Sequence, residues 1–106
     1  MKKDPDPLMF RDLPTWIQDI LRDLSREGFI YIGRTGPGLT YDFRKACMKV
    51  GTYKAIDEYM QYRSIEEKVL IELIATEGPR WVPYTRIKEF CETGTISVLV
   101  DRHPSQ

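Results

Sequence analysis

Residues 64 to 79 constrain this chain more than any other stretch, because both ends of one helix are written in side chains. Ser64-Ile65-Glu66-Glu67 matches a capping box. In that device the serine hydroxyl and the glutamate carboxylate each satisfy a backbone N–H that the first helical turn leaves without a partner. Val69, Leu70, Leu73 and Ile74 then mark an inward face, and Gly78-Pro79 stops the helix.

The flanking segments read less sharply. Leu13, Ile17, Ile20, Leu21 and Leu24 recur at helical spacing, with Pro14 suited to the first turn and Gly28 to the stop. They predict a helix from about Pro14 to Glu27 that leaves Asp19, Arg22, Asp23 and Arg26 in solvent, with Trp16 in the core or at its edge. Phe29 to Ile32 is β-branched and aromatic and ends at Gly33, so it reads as a strand. Arg34-Thr35-Gly36-Pro37-Gly38-Leu39-Thr40 reads as a loop. From Tyr41 a helical face returns in Phe43, Ala46, Cys47 and Val50. Gly51 breaks it, and Thr52 is placed to cap a second helix bearing Ile56, Tyr59 and Met60.

Arg80 to Pro83 should be extended, since proline disfavours helical geometry in the residue before it. A shorter helix follows from Tyr84 to Glu92, with Ile87, Phe90 and Cys91 inward. In residues 95–100 the alternation of Ile96, Val98 and Val100 favours a strand, while Ile96, Leu99 and Val100 also fit a short helix. The expected fold is a mainly helical α+β single domain of about five helices with a small two- or three-stranded sheet. That sheet would pair the strand near Ile30 with one near Val98, and Trp81-Val82 is a candidate third piece. The domain should span residues 8–102, with flexible tails at 1–7 and 103–106.

Composition narrows the function classes. The chain has 106 residues, enough for one core, and its 42% apolar share excludes wholesale disorder. Lysine plus arginine equals aspartate plus glutamate at 16 each, which argues against indiscriminate coating of nucleic acid but leaves room for a local basic face. Cys47 and Cys91 each sit inside an apolar pattern, as buried free thiols of a reducing compartment do. No apolar signal core follows Lys2 and Lys3, and no apolar run approaches the roughly 20 residues that span a bilayer. A cytoplasmic protein without a membrane partner is the expectation.

Catalytic chemistry finds little purchase. The lone histidine, His103, lies in the C-terminal tail, and no cysteine or serine has a base fixed beside it in sequence. Cysteine and histidine never cluster at zinc-ligand spacing, and Glu66-Glu67 is explained by the helix start. The glycines of residues 34–40 lack the P-loop spacing and its Gly-Lys-Ser/Thr ending. No metal, cofactor or catalytic residue is expected. Ile30-Tyr31-Ile32-Gly33-Arg34-Thr35 with Arg44 resembles part of the GIY-YIG endonuclease motif, which would imply a nuclease. That family's first tripeptide belongs one hairpin upstream, where this chain has a helical pattern.

Binding is better represented. Phe43 to Ile56 resembles a helix-turn-helix, with small Ala46 and Cys47 at the crossing, Val50 filling the core and Gly51 at the turn. The resemblance implies a second helix opening at Thr52 that presents Tyr53 and Lys54 to DNA. The apolar position after the glycine comes one residue early, at Ile56. A plain helical hairpin accounts for the same residues. Between Arg34 and Arg63 stand six bases (Arg34, Arg44, Lys45, Lys49, Lys54 and Arg63) against three acids (Asp42, Asp57 and Glu58), interleaved with Tyr41, Tyr53, Tyr59 and Tyr62.

A second stretch, from Ile65 to Arg102, resembles the opening of a winged helix. Its turn is shorter than that family's, and the strand reading of residues 95–100 would abolish it. Trp81, between Arg80 and Val82, suits either core packing or partner contact. The leading expectation is a helix-turn-helix-type DNA-binding regulator, with a homodimer as one possible assembly. It would use Arg34, Arg44, Lys45, Lys49, Thr52, Tyr53 and Lys54. The alternative is a protein-binding module or inhibitor that occupies a partner's surface through Trp81, Tyr59 and Tyr62, and a small hydrolase comes third.

Overall fold

The computed structural model describes residues 8–78 and 80–93. A 3-10 turn at Phe10–Asp12 precedes helix α1 (Thr15–Arg26), strands β1 (Ile30–Ile32) and β2 (Pro37–Leu39), and helices α2 (Tyr41–Val50), α3 (Thr52–Tyr59), α4 (Ile65–Glu77) and α5 (Tyr84–Glu92). The fold is mainly helical α+β with a two-stranded antiparallel sheet.

Helix α4 is the axis of the core. Its capping box forms as read: Glu67 N donates to Ser64 Oγ at 3.2 Å, and Ser64 N donates to Glu67 Oε1 at 3.1 Å. Burial goes beyond the expected face, since Ile71 is enclosed along with Leu70, Leu73 and Ile74. A helix buried on most sides must be wrapped by its neighbours, and α1, α3 and β2 all pack on it. From α1 come Ile17, Leu21 and Leu24, all inaccessible to solvent. Each such aliphatic side chain contributes about 1.5–3 kcal/mol of transfer free energy. Helix α5 adds Tyr84, Ile87 and Cys91. Both cysteines are free and buried.

The hairpin corrects the reading of residues 34–40 as loop. Register pairs Ile30 with Leu39, Tyr31 with Gly38 and Ile32 with Pro37, and Gly33 N donates to Gly36 O at 3.2 Å to close the turn. Proline is tolerated because it opens the strand. A close neighbour explains the glycines. The extended segment after α4 lies against β2, with Val82 N donating to Pro37 O at 2.9 Å and Tyr84 N to Thr35 O at 3.0 Å. Side chains at 36 and 38 would collide with the Val82 and Arg80 carbonyls. Among the described residues the partner of β1 is thus β2, and Trp81-Val82 attaches beside it without becoming a strand. The expected strand near Val98, the winged-helix pattern past Thr93, both tails and His103 lie outside the described residues.

Three side chains depart from expectation. Trp16 is 45% exposed, because it is rotated about 100° from the buried line of Ile17, Leu21 and Leu24. Val50 is exposed although its phase matches Phe43. It stands in the last turn of α2, and Ala55 and Ile56 of α3 fill the core instead. Thr52 is the first residue of α3 rather than its cap. That cap is Gly51, whose φ of 98° turns the chain directly from one helix into the next. No helix among the described residues is long and apolar enough to cross a membrane.

Candidate functional site

The hairpin and α2 meet the segment after α4 at one carbonyl. Arg80 O accepts from Tyr31 Oη at 3.0 Å and from Arg44 Nη2 at 3.3 Å. These contacts join β1, α2 and the extended segment around a groove of about 460 Å³ lined by Tyr31, Leu39, Tyr41, Arg44 and Arg80. Two arginines and two tyrosines line it, and no carboxylate does. Leu39 and Arg44 also line a smaller adjoining groove with Cys47, Met48, Thr52 and Ala75. The two grooves therefore form one surface running from β1 to the start of α3.

Helix α2 supplies the outward stripe of that surface. Tyr41, Arg44, Lys45 and Met48 follow at three- and four-residue spacing, opposite buried Phe43 and Cys47. Lys45 Nζ sits 5.4 Å from the centroid of the Tyr41 ring, a cation–π distance. Burial raises the Cys47 thiol above its ordinary value, with the Thr52 hydroxyl and the Arg44 charge offsetting part of that effect. A thiol held in its neutral form is a poor nucleophile.

Charge pairing separates this region from the rest. Arg22 pairs with Asp19, Arg26 with Asp23, Arg86 with Glu77 and Glu89, and Lys88 with Glu92. Arg63 engages Asp23, Glu27 and Glu67. By contrast Arg34, Lys45, Lys49, Lys54 and Arg80 form no ion pair with a described residue, and elsewhere the same holds of Arg11 and Lys68. A larger groove between α1 and the start of α4 is lined by Asp19, Arg22, Asp23, Arg26, Glu66 and Glu67 among others. Its charges are of both signs and largely satisfied by one another, so it selects no ligand charge.

The residues singled out from sequence are only partly gathered. Arg44, Lys45 and Thr52 belong to the α2 surface, and Lys49 follows Lys45 by one turn. Arg34 is exposed in the β1–β2 turn and Lys54 is exposed on α3. Tyr53 Oη donates to Glu72 Oε2 on α4 at 2.8 Å, a bond that raises the phenol's pKa and sets a carboxylate beside the expected reading position. One residue, Gly51, separates α2 from α3, whereas a helix-turn-helix usually spends three or four there. Tyr59 stands across α2, its ring 6.2 Å from that of Phe43, and Tyr62 is 93% exposed in the turn before α4. Trp81 adjoins the Arg80 wall and is half-exposed.

Sequence reading missed Tyr31, Tyr41 and Arg80 as members of one groove. Tyr41 and Arg80 were visible as an aromatic and a base, but their meeting depends on the contact of residues 80–82 with β2. Among the described residues no group of three histidine, cysteine, aspartate or glutamate side chains gathers as a metal site. No protein-family model, curated protein or solved structure matches this chain.

Proposed function

We propose that the protein is a non-enzymatic, nucleic-acid-binding regulator whose contact surface is the outward side of α2 with the start of α3 and the Arg80 segment. The observation that carries this reading is the separation of charge. Bases on α1 and α5 are paired with their own neighbours, while Lys45 and Lys49 on α2, Lys54 on α3, Arg34 in the hairpin turn and Arg80 form no ion pair with a described residue, as is true elsewhere of Arg11 and Lys68. Phosphate contacts of this kind dominate nucleic-acid affinity and make it fall steeply with salt. A chain of zero net charge then binds through one face rather than with its whole surface.

The test is fluorescence anisotropy with labelled DNA against salt. Affinity should fall by an order of magnitude or more between about 50 and 200 mM salt. The triple reversal Lys45→Glu, Lys49→Glu and Lys54→Glu should abolish binding while leaving the helical circular-dichroism signal intact. Salt-independent binding, or binding unaffected by the reversal, sinks the proposal. A second reading, occupation of a partner protein's surface, draws on Tyr59, the last residue of α3, and Tyr62 in the turn that follows, both exposed. It expects a stoichiometric protein partner that is lost on Tyr62→Ala and retained by the triple reversal.

A further inference from the structure

The groove beside β1 is lined by a tyrosine that the backbone holds in place. Tyr31 stands opposite Gly38 in the hairpin register, and a Cβ on Gly38 would lie 2.6 Å from Tyr31 Cζ, so the ring rests directly on the β2 backbone. A Cβ on Gly33 would lie 3.2 Å from the same ring. The phenol is pinned at its far end by its 3.0 Å bond to Arg80 O. The tyrosine is therefore held by backbone on one side and by a hydrogen bond at its tip, and it remains 40% exposed. An aromatic ring fixed in this way loses little rotational freedom when a second ring stacks on it.

Tyr41 supplies a second aromatic surface across the groove, 73% exposed and with the Lys45 ammonium over its ring. Arg44 brings its guanidinium to the same lining, donating through Nη2 to Arg80 O at 3.3 Å, and Arg80 is the groove's second basic residue. Open aromatic surfaces interleaved with bases are how single strands are held without sequence preference, since every base has a face to stack. A duplex offers no such face, because its bases are already stacked on one another. The route a duplex would need is also poorly formed, given the one-residue link at Gly51 and the Glu72 carboxylate beside Tyr53.

We infer that this groove is a single-stranded nucleic-acid site, with a base stacked on Tyr31 and the backbone phosphates on Arg44, Arg80 and Lys45; the inference rests on the nucleic-acid reading above. The full chain would be titrated into a labelled oligothymidylate of about twelve nucleotides, and separately into a duplex of the same length. The single strand should bind at least about tenfold tighter. Tyr31→Ala and Tyr41→Ala should each weaken it by about tenfold, whereas Tyr31→Phe, which keeps the ring, should stay close to wild type. Tyr41→Ala lies on an exposed helix face, so it decides the matter even where Tyr31→Ala fails to fold. Equal or tighter duplex binding overturns the single-strand site and leaves nucleic-acid binding standing. Single-strand binding that ignores Tyr41→Ala and Arg80→Glu overturns the groove as its location. No binding to either probe overturns both readings.

Discussion

Arg63 Nη2 donates to Asp23 Oδ2 at 2.7 Å, tying the turn ahead of α4 to α1 across 40 residues of sequence. The same guanidinium donates through Nε to Glu67 Oε1 at 3.2 Å and lies 3.6 Å from Glu27 Oε2. Glu67 is the buried member of this group, and its Oε1 also accepts from the Ser64 backbone N–H, so one arginine supports both the α4 cap and the α1–α4 contact.

Removing that guanidinium should therefore cost more than losing a surface ion pair. Arg63→Ala leaves the Glu67 carboxylate enclosed without its cation. Because the Arg63 side chain keeps 23% of its exposure, the expected loss is about 2 kcal/mol rather than the full penalty of a buried pair. Arg63→Lys should recover only part of it, since a point charge cannot serve three carboxylates as a planar fork does. Urea denaturation measures both variants, and a loss below about 0.5 kcal/mol for Arg63→Ala would contradict the assignment.

Tyr84 makes another long-range tie. Its Oη donates to Gly33 O at 2.6 Å, fixing α5 to the hairpin turn. Tyr84→Phe should cost about 1–2 kcal/mol, because a carbonyl in a part-buried site loses its donor. Tyr31→Phe, at an exposed bond, should cost no more than about 0.5 kcal/mol. A reversed order in thermal melts would show that the Tyr31–Arg80 bond, rather than Tyr84–Gly33, is the stronger tie on the hairpin.

Single methyl groups should separate the two kinds of glycine. A Cβ on Gly36 meets the Val82 carbonyl, and that backbone is fixed on either side by the Val82 N–Pro37 O and Tyr84 N–Thr35 O bonds, so it cannot swing aside. Gly36→Ala should cost about 3 kcal/mol or more. At Gly51 there is open space but a φ of 98°, so Gly51→Ala should cost only about 1–2 kcal/mol of backbone strain. Equal effects on the denaturation midpoint would remove the close approach of residues 80–82 to β2 as the reason for glycine at 36.

Alkaline pH should loosen the core through two buried groups. Burial, reinforced by the Glu92 charge, pushes the Cys91 thiol from 9.0 up to about 12, and burial alone pushes Tyr84 from 10.0 up to about 12. Both values are raised on folding, so the unfolded chain sheds these protons first. The stability they support is complete below pH 9 and is lost as pH rises through 9 to 12. The unfolding free energy should fall across that window by on the order of a few kcal/mol in all, and the melting temperature should fall with it. Cys91→Ala should start lower at neutral pH, from the cavity it leaves, and fall less steeply. An unchanged slope in that variant would refute the role of the thiol.

Most of the helical scaffold was legible in the residue pattern. The α4 capping box, the span of α5 from Tyr84 to Glu92 and the buried line of Ile17, Leu21 and Leu24 all follow from local rules of spacing and capping, and the structure places them there. The pattern puts Thr52 at the cap, but Gly51, which lacks a side-chain acceptor, takes that position by its positive φ. The candidate groove was legible only in fragments. Arg44 and Lys45 stood out as bases beside tyrosines, yet nothing local to Tyr31 or Arg80 indicates that they share a hydrogen bond.

By itself the sequence determined where helices begin and end, which of their faces are apolar, and that bases and tyrosines concentrate between Arg34 and Arg63. Those properties depend on neighbours within a turn or two, so the periodicity of side chains expresses them. Tertiary structure alone decided that residues 37–39 form a strand, that Arg63 bridges α1 to α4, and that the Arg80 carbonyl gathers Tyr31 and Arg44. Each of these requires two distant backbones to approach closely. At β2 that approach is permitted by glycines 36 and 38, whose missing side chains look in the sequence like an ordinary loop.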